Sequence, residues 1–182
     1  MLRRTLLAGL AAAPAAGLLG ACGFRLRGAP QFAFRTLYVQ APAGSALARD
    51  LVRTLQGGGG ELTVLTDPAQ MPQAEAVLDL LSERQERVAV GMSSAGQVRE
   101  LQLRLRIHFR LRGQQGQEWI ADTELLQQRD ISYNETLALS KEGEEAMLFR
   151  DMRNDLVRQL IRRLSAVRPQ RCPPHGALCK SL

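Results

Sequence analysis

The chain has 182 residues, 45% of them hydrophobic and 23% charged, close to the average of globular domains and outside the range of disordered chains. A formal net charge of +6 and a sequence pI near 10.0 call for an anionic partner, either nucleic acid or phosphorylated lipid. Aromatic residues make up only 4%, too few for the stacking platform that RNA-binding sheets present.

The first element is an export segment. Arg3 and Arg4 precede an apolar stretch over 6–19, broken only by Pro14 and small residues, that ends in Leu19-Gly20-Ala21-Cys22. This is the layout of a secretory signal, and the apolar core is shorter than the roughly 20 residues a membrane-spanning helix needs. Leu-Gly-Ala before a cysteine resembles the lipobox of bacterial lipoproteins. The expectation is therefore a signal over residues 1–21 and a lipid on Cys22: a thioether-linked diacylglycerol with an acylated amine, each buried methylene adding about 0.8 kcal/mol of membrane affinity. A helical core cysteine is the competing reading, but Gly23, Gly28 and the basic residues between them would break such a helix. Gly23 in place of Asp is similar to enteric lipoproteins released from the inner membrane, which implies the periplasmic face of the outer membrane. Arg3-Arg4 also resembles a twin-arginine signal, so the export route stays open. Losing residues 1–21 lowers the positive charge by two and leaves one domain's length of chain.

Residues 34–40 are β-prone and end at Pro42, giving a first strand. Ser45 can cap a helix that places Leu47, Leu51, Val52 and Leu55 on one face and stops at the glycines 57–60. Those glycines follow the helix, whereas a phosphate loop needs them before one. Residues 61–66 read as a second strand and 76–90 as a long third strand with an exposed charged middle over 83–87. After a turn at 91–96, Leu101, Leu103, Leu105, Ile107, Phe109 and Leu111 alternate with Gln102, Arg104, Arg106, His108, Arg110 and Arg112. Period two with one apolar side demands a strand with one buried face. A turn at 113–116 leads to a fifth strand over 118–132.

The last element, over 140–167, carries Phe149, Met152, Leu156, Leu160, Leu164 and Val167 on one helical stripe. Glu142, Glu144 and Glu145 near its start and Arg162 and Arg163 near its end suit the helix dipole, and Pro169 prevents continuation. The domain is therefore expected over 22–168, followed by a tail over 169–182. In that tail Cys172 and Cys179 form an even pair once Cys22 is lipidated, and in an oxidising compartment a disulfide between them is the first expectation. Pro173, Pro174 and Gly176 favour the bend such a bridge needs. Zinc at Cys172, His175 and Cys179 would lack a fourth ligand nearby, so no metal is expected.

Cys22-Gly23-Phe24-Arg25-Leu26-Arg27-Gly28 resembles the mature start of the LptE (RlpB) family of lipopolysaccharide-assembly lipoproteins. The similarity continues through Ala138-Leu139-Ser140-Lys141-Glu142, Glu144-Glu145, Asp151-Met152 and Leu160-Ile161-Arg162-Arg163-Leu164. It implies an α/β domain of the α+β sandwich type, with two helices on one face of a four- to five-stranded mixed sheet. It also implies a protein without enzymatic activity or cofactor, seated as a plug in the LptD outer-membrane barrel, assisting its assembly and binding lipopolysaccharide. Nucleic acid is not expected as a partner of an exported chain. The basic strand face of Arg104, Arg106, His108, Arg110 and Arg112 could meet lipid A phosphates or acidic barrel loops, with Arg104, Arg106 and Arg110 as the lipopolysaccharide-binding residues, and Lys141 is carried over from the resemblance as a phosphate contact. On the same residues, pairing with acids such as Asp122 and Glu124 on the next strand is the alternative.

Two other readings remain: a lipid-anchored periplasmic hydrolase, or another cell-envelope binding lipoprotein. A hydrolase needs converging acid and base groups. The chain has two histidines, His108 in the arginine-rich strand and His175 in the tail, and scattered carboxylates such as Asp79, Glu83 and Glu86.

Overall fold

The computed structural model describes residues 30–58, 60–134 and 138–168, with backbone only over 138–140. The expectations for residues 1–21, Cys22, Cys172 and Cys179 lie outside the described residues.

The order is β1 (Thr36–Gln40), α1 (Ala46–Gly57), β2 (Thr63–Leu65), a 3-10 segment (Pro68–Gln73), β3 (Ala76–Met92), β4 (Val98–Gly113), β5 (Glu118–Ser132) and α2 (Ala138–Ala166). The strands form one five-stranded sheet, β2-β1-β3-β4-β5. β1 runs parallel to β2 and β3, and β3, β4 and β5 are antiparallel neighbours, so the sheet is mixed as expected.

Both helices pack on one face. Leu103, Leu105, Ile107, Phe109 and Leu111 of β4 are fully buried, with Leu101 half-buried beside them, against Leu47, Leu51 and Leu55 of α1 and against Phe149, Met152, Leu156, Leu160 and Leu164 of α2. Burial of such side chains contributes about 1.5–3 kcal/mol each, and this layer is the main source of stability. The Ser45 hydroxyl caps α1 by accepting from the Ala48 amide at 3.0 Å, and Gly44 enters the preceding turn with φ +82°. On the opposite side of the sheet the described residues form only a small cluster. The 3-10 segment lays Met71 against Tyr38, Ala74 and Val77 at one end.

A bulge in β3 decides how its charged middle is used. Leu80 pairs with Phe109 and Ser82 with His108, so Leu81 is extra and 42% exposed. An extra residue inverts the side-chain alternation beyond it. Before the bulge, Ala76, Leu78 and Leu80 face the helices. After it, Glu83, Gln85 and Arg87 do so, opposite Ile107, Leu105 and Leu103, while Arg84 and Glu86 turn to the open face. The charged middle is thus divided between two faces. Glu83 accepts from the Ser45 hydroxyl at 2.7 Å and the Leu47 amide at 3.4 Å, anchoring the α1 N-terminus. Arg87 meets Glu145 of α2 at 2.7 Å.

Candidate anion-binding face

The face of the sheet away from the helices is built by the polar half of the β4 alternation. Directly opposite residues in antiparallel strands share a face, so the register sets each row. Ser82, His108 and Glu124 form one row, Arg84, Arg106 and Leu126 the next, Glu86, Arg104 and Gln128 the third, and Val88, Gln102 and Asp130 the fourth. Toward the 3-10 segment, Asp79 stands opposite Arg110 and Val77 opposite Arg112.

The arginines are unequally neutralised. Arg106 Nη1 donates to both Glu124 oxygens at 2.7 Å. This bond pushes the guanidinium pKa up and holds the Glu124 carboxyl below its usual value. His108 bridges the same acids, with Nδ1 at 3.3 Å from Asp122 and Nε2 at 3.2 Å from Glu124. Asp79, only 5% exposed, gathers Arg110 Nε at 2.7 Å and Arg112 Nε at 3.0 Å. That bond likewise raises the Arg110 pKa. Arg104 differs: its Nε donates to the neutral Gln102 Oε1 at 2.7 Å, and Gln102 in turn donates to Asp130 at 2.8 Å.

Arg104, Arg106 and Arg110 therefore share one face, as their spacing predicted. Lys141 does not join them. It belongs to α2 in the helix layer, with Nζ at 2.7 Å from Glu144 and 3.5 Å from the Ser132 hydroxyl. The pairing of the basic stripe with Glu124 and Asp122 is realised for Arg106 and His108, and Asp79 adds a pairing from β3 that sequence reasoning missed. Arg112 belongs to the basic face read from the sequence; Arg84 was not singled out there, because the bulge sets its face.

The carboxylates a hydrolase would have to pair point apart. Asp79 and Glu86 lie on the open face, the first held by two arginines, and Glu83 lies on the helix side bound to Ser45. Among the described residues no group of His, Cys, Asp and Glu is arranged to hold a metal, and no helix is long and apolar enough to cross a membrane.

The profile of the LptE family, described as lipopolysaccharide-assembly, matches residues 34–164, most of the chain and the whole of the sheet. The chain belongs to the LptE family. Solved structures agree. The chain is 30% identical, with a TM-score of 0.67, to an uncharacterized lipoprotein B from Nitrosomonas europaea determined by solution NMR, covering 79% of this chain and 91% of that one. A minor lipoprotein from Acinetobacter baumannii has 24% identity and TM-score 0.59, covering 75% of this chain and 94% of that one. The rare lipoprotein B from Shewanella oneidensis has 20% identity and TM-score 0.60, covering 72% and 94%. The latter two speak for the fold alone. No curated protein sequence matches the chain. Membership makes this chain a lipopolysaccharide-assembly lipoprotein of the cell envelope, in a family that is not enzymatic.

Proposed function

We propose that this protein is anchored by a lipid on Cys22 to the periplasmic face of the outer membrane. There it plugs and helps assemble the LptD barrel, and binds lipopolysaccharide during delivery to the outer leaflet. Residues 1–21 are then the signal, 22–168 the working domain and 169–182 a tail bridged between Cys172 and Cys179. The observation that carries this reading is the family match over 34–164, joined to the lipobox-like site before Cys22.

The proposed chemistry needs no cofactor. The helix layer supplies a rigid backing, and the open face presents Arg104, Arg106 and Arg110 to phosphate groups. Two of these already hold carboxylates, so an incoming phosphate gains only the difference between its own pairing and the one it displaces. That exchange suits a carrier that must release its cargo. Lys141, on the other layer, would contact a phosphate at the sheet margin beside Ser132.

The test is lipopolysaccharide binding by the detergent-solubilised lipoprotein and by an Arg104→Glu/Arg106→Glu/Arg110→Glu variant whose fold is confirmed by circular dichroism. Affinity should fall, more steeply at low salt. Unchanged affinity in the folded variant removes these arginines from the site.

A further inference from the structure

We infer that Arg84 of β3 completes, with Arg104 and Arg106 of β4, a three-guanidinium site for a phosphate monoester on the open face of the sheet. The inference rests on the lipopolysaccharide-binding reading and adds to it a residue from a second strand.

Arg84 stands directly opposite Arg106, and Arg104 is one row along on the same face. Opposed side chains leave Cβ atoms about 4.5–5.5 Å apart, and diagonal ones about 7–8 Å, so the three head groups can converge on one anion. Two like charges directly opposite each other destabilise a sheet. An acid opposite Arg84 would have relieved this, yet the register places an arginine there. Among the described residues the Arg84 side chain makes no hydrogen bond and no ion pair, and it is exposed.

The donors that remain point to a phosphate. An arginine offers five N–H groups. Arg106 commits Nη1 to Glu124 and Arg104 commits Nε to Gln102, which leaves Nε and Nη2 of the first and both Nη groups of the second. With Arg84 wholly unengaged, the trio can surround a tetrahedral oxyanion from two strands. The nearest acids are Glu86, directly opposite Arg104, and Glu124, one row away and already bonded to Arg106, on which Glu86 acts more weakly than Glu124 does. Three cations against two carboxylates leave this patch positive. Around Arg110 the balance is opposite, since Asp79, Glu118 and Asp122 all act on it. Leu126, opposite Arg106 and 38% exposed, supplies an apolar neighbour for an amphiphilic ligand.

The site would accept the phosphate of a glycolipid or free phosphate. Three probes separate these: lipopolysaccharide, the same glycolipid after phosphatase treatment, and inorganic phosphate. They are titrated against the intact lipoprotein in detergent. Arg84→Gln should weaken lipopolysaccharide binding about tenfold, the loss of one charge-assisted contact. Arg84→Lys should recover part of it, and binding of the dephosphorylated glycolipid should not change. Direct binding of inorganic phosphate that depends on Arg84 and equals that of the glycolipid would uphold the site with free phosphate as its ligand. A folded Arg84→Gln protein that binds lipopolysaccharide like the wild type overturns the inference. If Arg104→Glu/Arg106→Glu/Arg110→Glu still weakens binding, that failure belongs to Arg84 alone; if it does not, the lipopolysaccharide-binding reading fails as well.

Discussion

Arg87 of β3 holds the Glu145 carboxylate of α2 at 2.7 Å, Nε to Oε2, and Glu145 is only 3% exposed. The oxygen has no well-aligned hydrogen bond, so proximity of charge is what compensates its burial. A recess of about 360 Å³ adjoins this pair, lined also by Gln85, Glu142 and Phe149. Removing Arg87 strands a buried carboxylate, which is costlier than never having had the pair. Because the Arg87 side chain is 60% exposed and only the Glu145 end is dry, Arg87→Ala should lose about 1–2 kcal/mol of unfolding free energy by urea titration. Glu145→Gln, which removes the charge itself, should lose less. Equal stability of Arg87→Ala and wild type would show that Glu145 is compensated by something else.

The helix-facing half of β4 should dominate stability. Phe109 is completely buried between sheet and helices, and Phe109→Ala should cost about 3–5 kcal/mol through lost transfer energy and the cavity left behind. Arg104→Gln, on the same strand but the other face, should change stability by about 0.5 kcal/mol or less. Thermal melts of the two variants give the comparison directly.

Acid should loosen the open face before it touches the core. The Arg106 hydrogen bond lowers the folded-state pKa of Glu124, so the pair's contribution is complete above the ordinary glutamate pKa of about 4.3 and disappears as pH falls through the depressed value. Stability should therefore decline below about pH 4, and Glu124→Gln should remove part of that decline. A pH series of urea midpoints for the two proteins checks the sign. An identical acid dependence in both would show that other carboxylates carry it.

Much of this arrangement was legible in the sequence because single faces were strongly marked. The strict alternation from Leu101 to Arg112 fixed β4 and both of its faces, and the 149–164 stripe fixed the buried side of α2. Two features were not legible. The Leu81 bulge shows in no residue type, yet it sends Arg84 outward and Glu83 and Arg87 inward, so the middle of β3 looked uniformly solvated. Glu145 read as a dipole-matching surface acid near the helix start, although it sits four residues before Phe149 and so on the buried stripe. That spacing was the available signal; its partner on β3 was not. The pairings of the open face also depend on cross-strand register, which local pattern does not specify.

The tail should be separable from the domain. With Cys22 lipidated, Cys172 and Cys179 are the remaining thiols, and alkylation without reductant followed by mass measurement should find neither free. Cys172→Ser/Cys179→Ser should leave membrane association intact, because the loop it opens is short and constrains little beyond itself. Two freely alkylated thiols in the wild type would rule out the bridge.

The central claim is that this lipoprotein works inside an outer-membrane barrel. Its most direct measurement is affinity purification of the tagged, lipidated protein from detergent-solubilised outer membranes, with the co-purifying barrel identified by mass spectrometry. The LptD barrel should be the main partner, retained after high-salt washing because a plug buries more than a few surface charges. Recovery of the lipoprotein from the same membranes with no LptD barrel attached would contradict it.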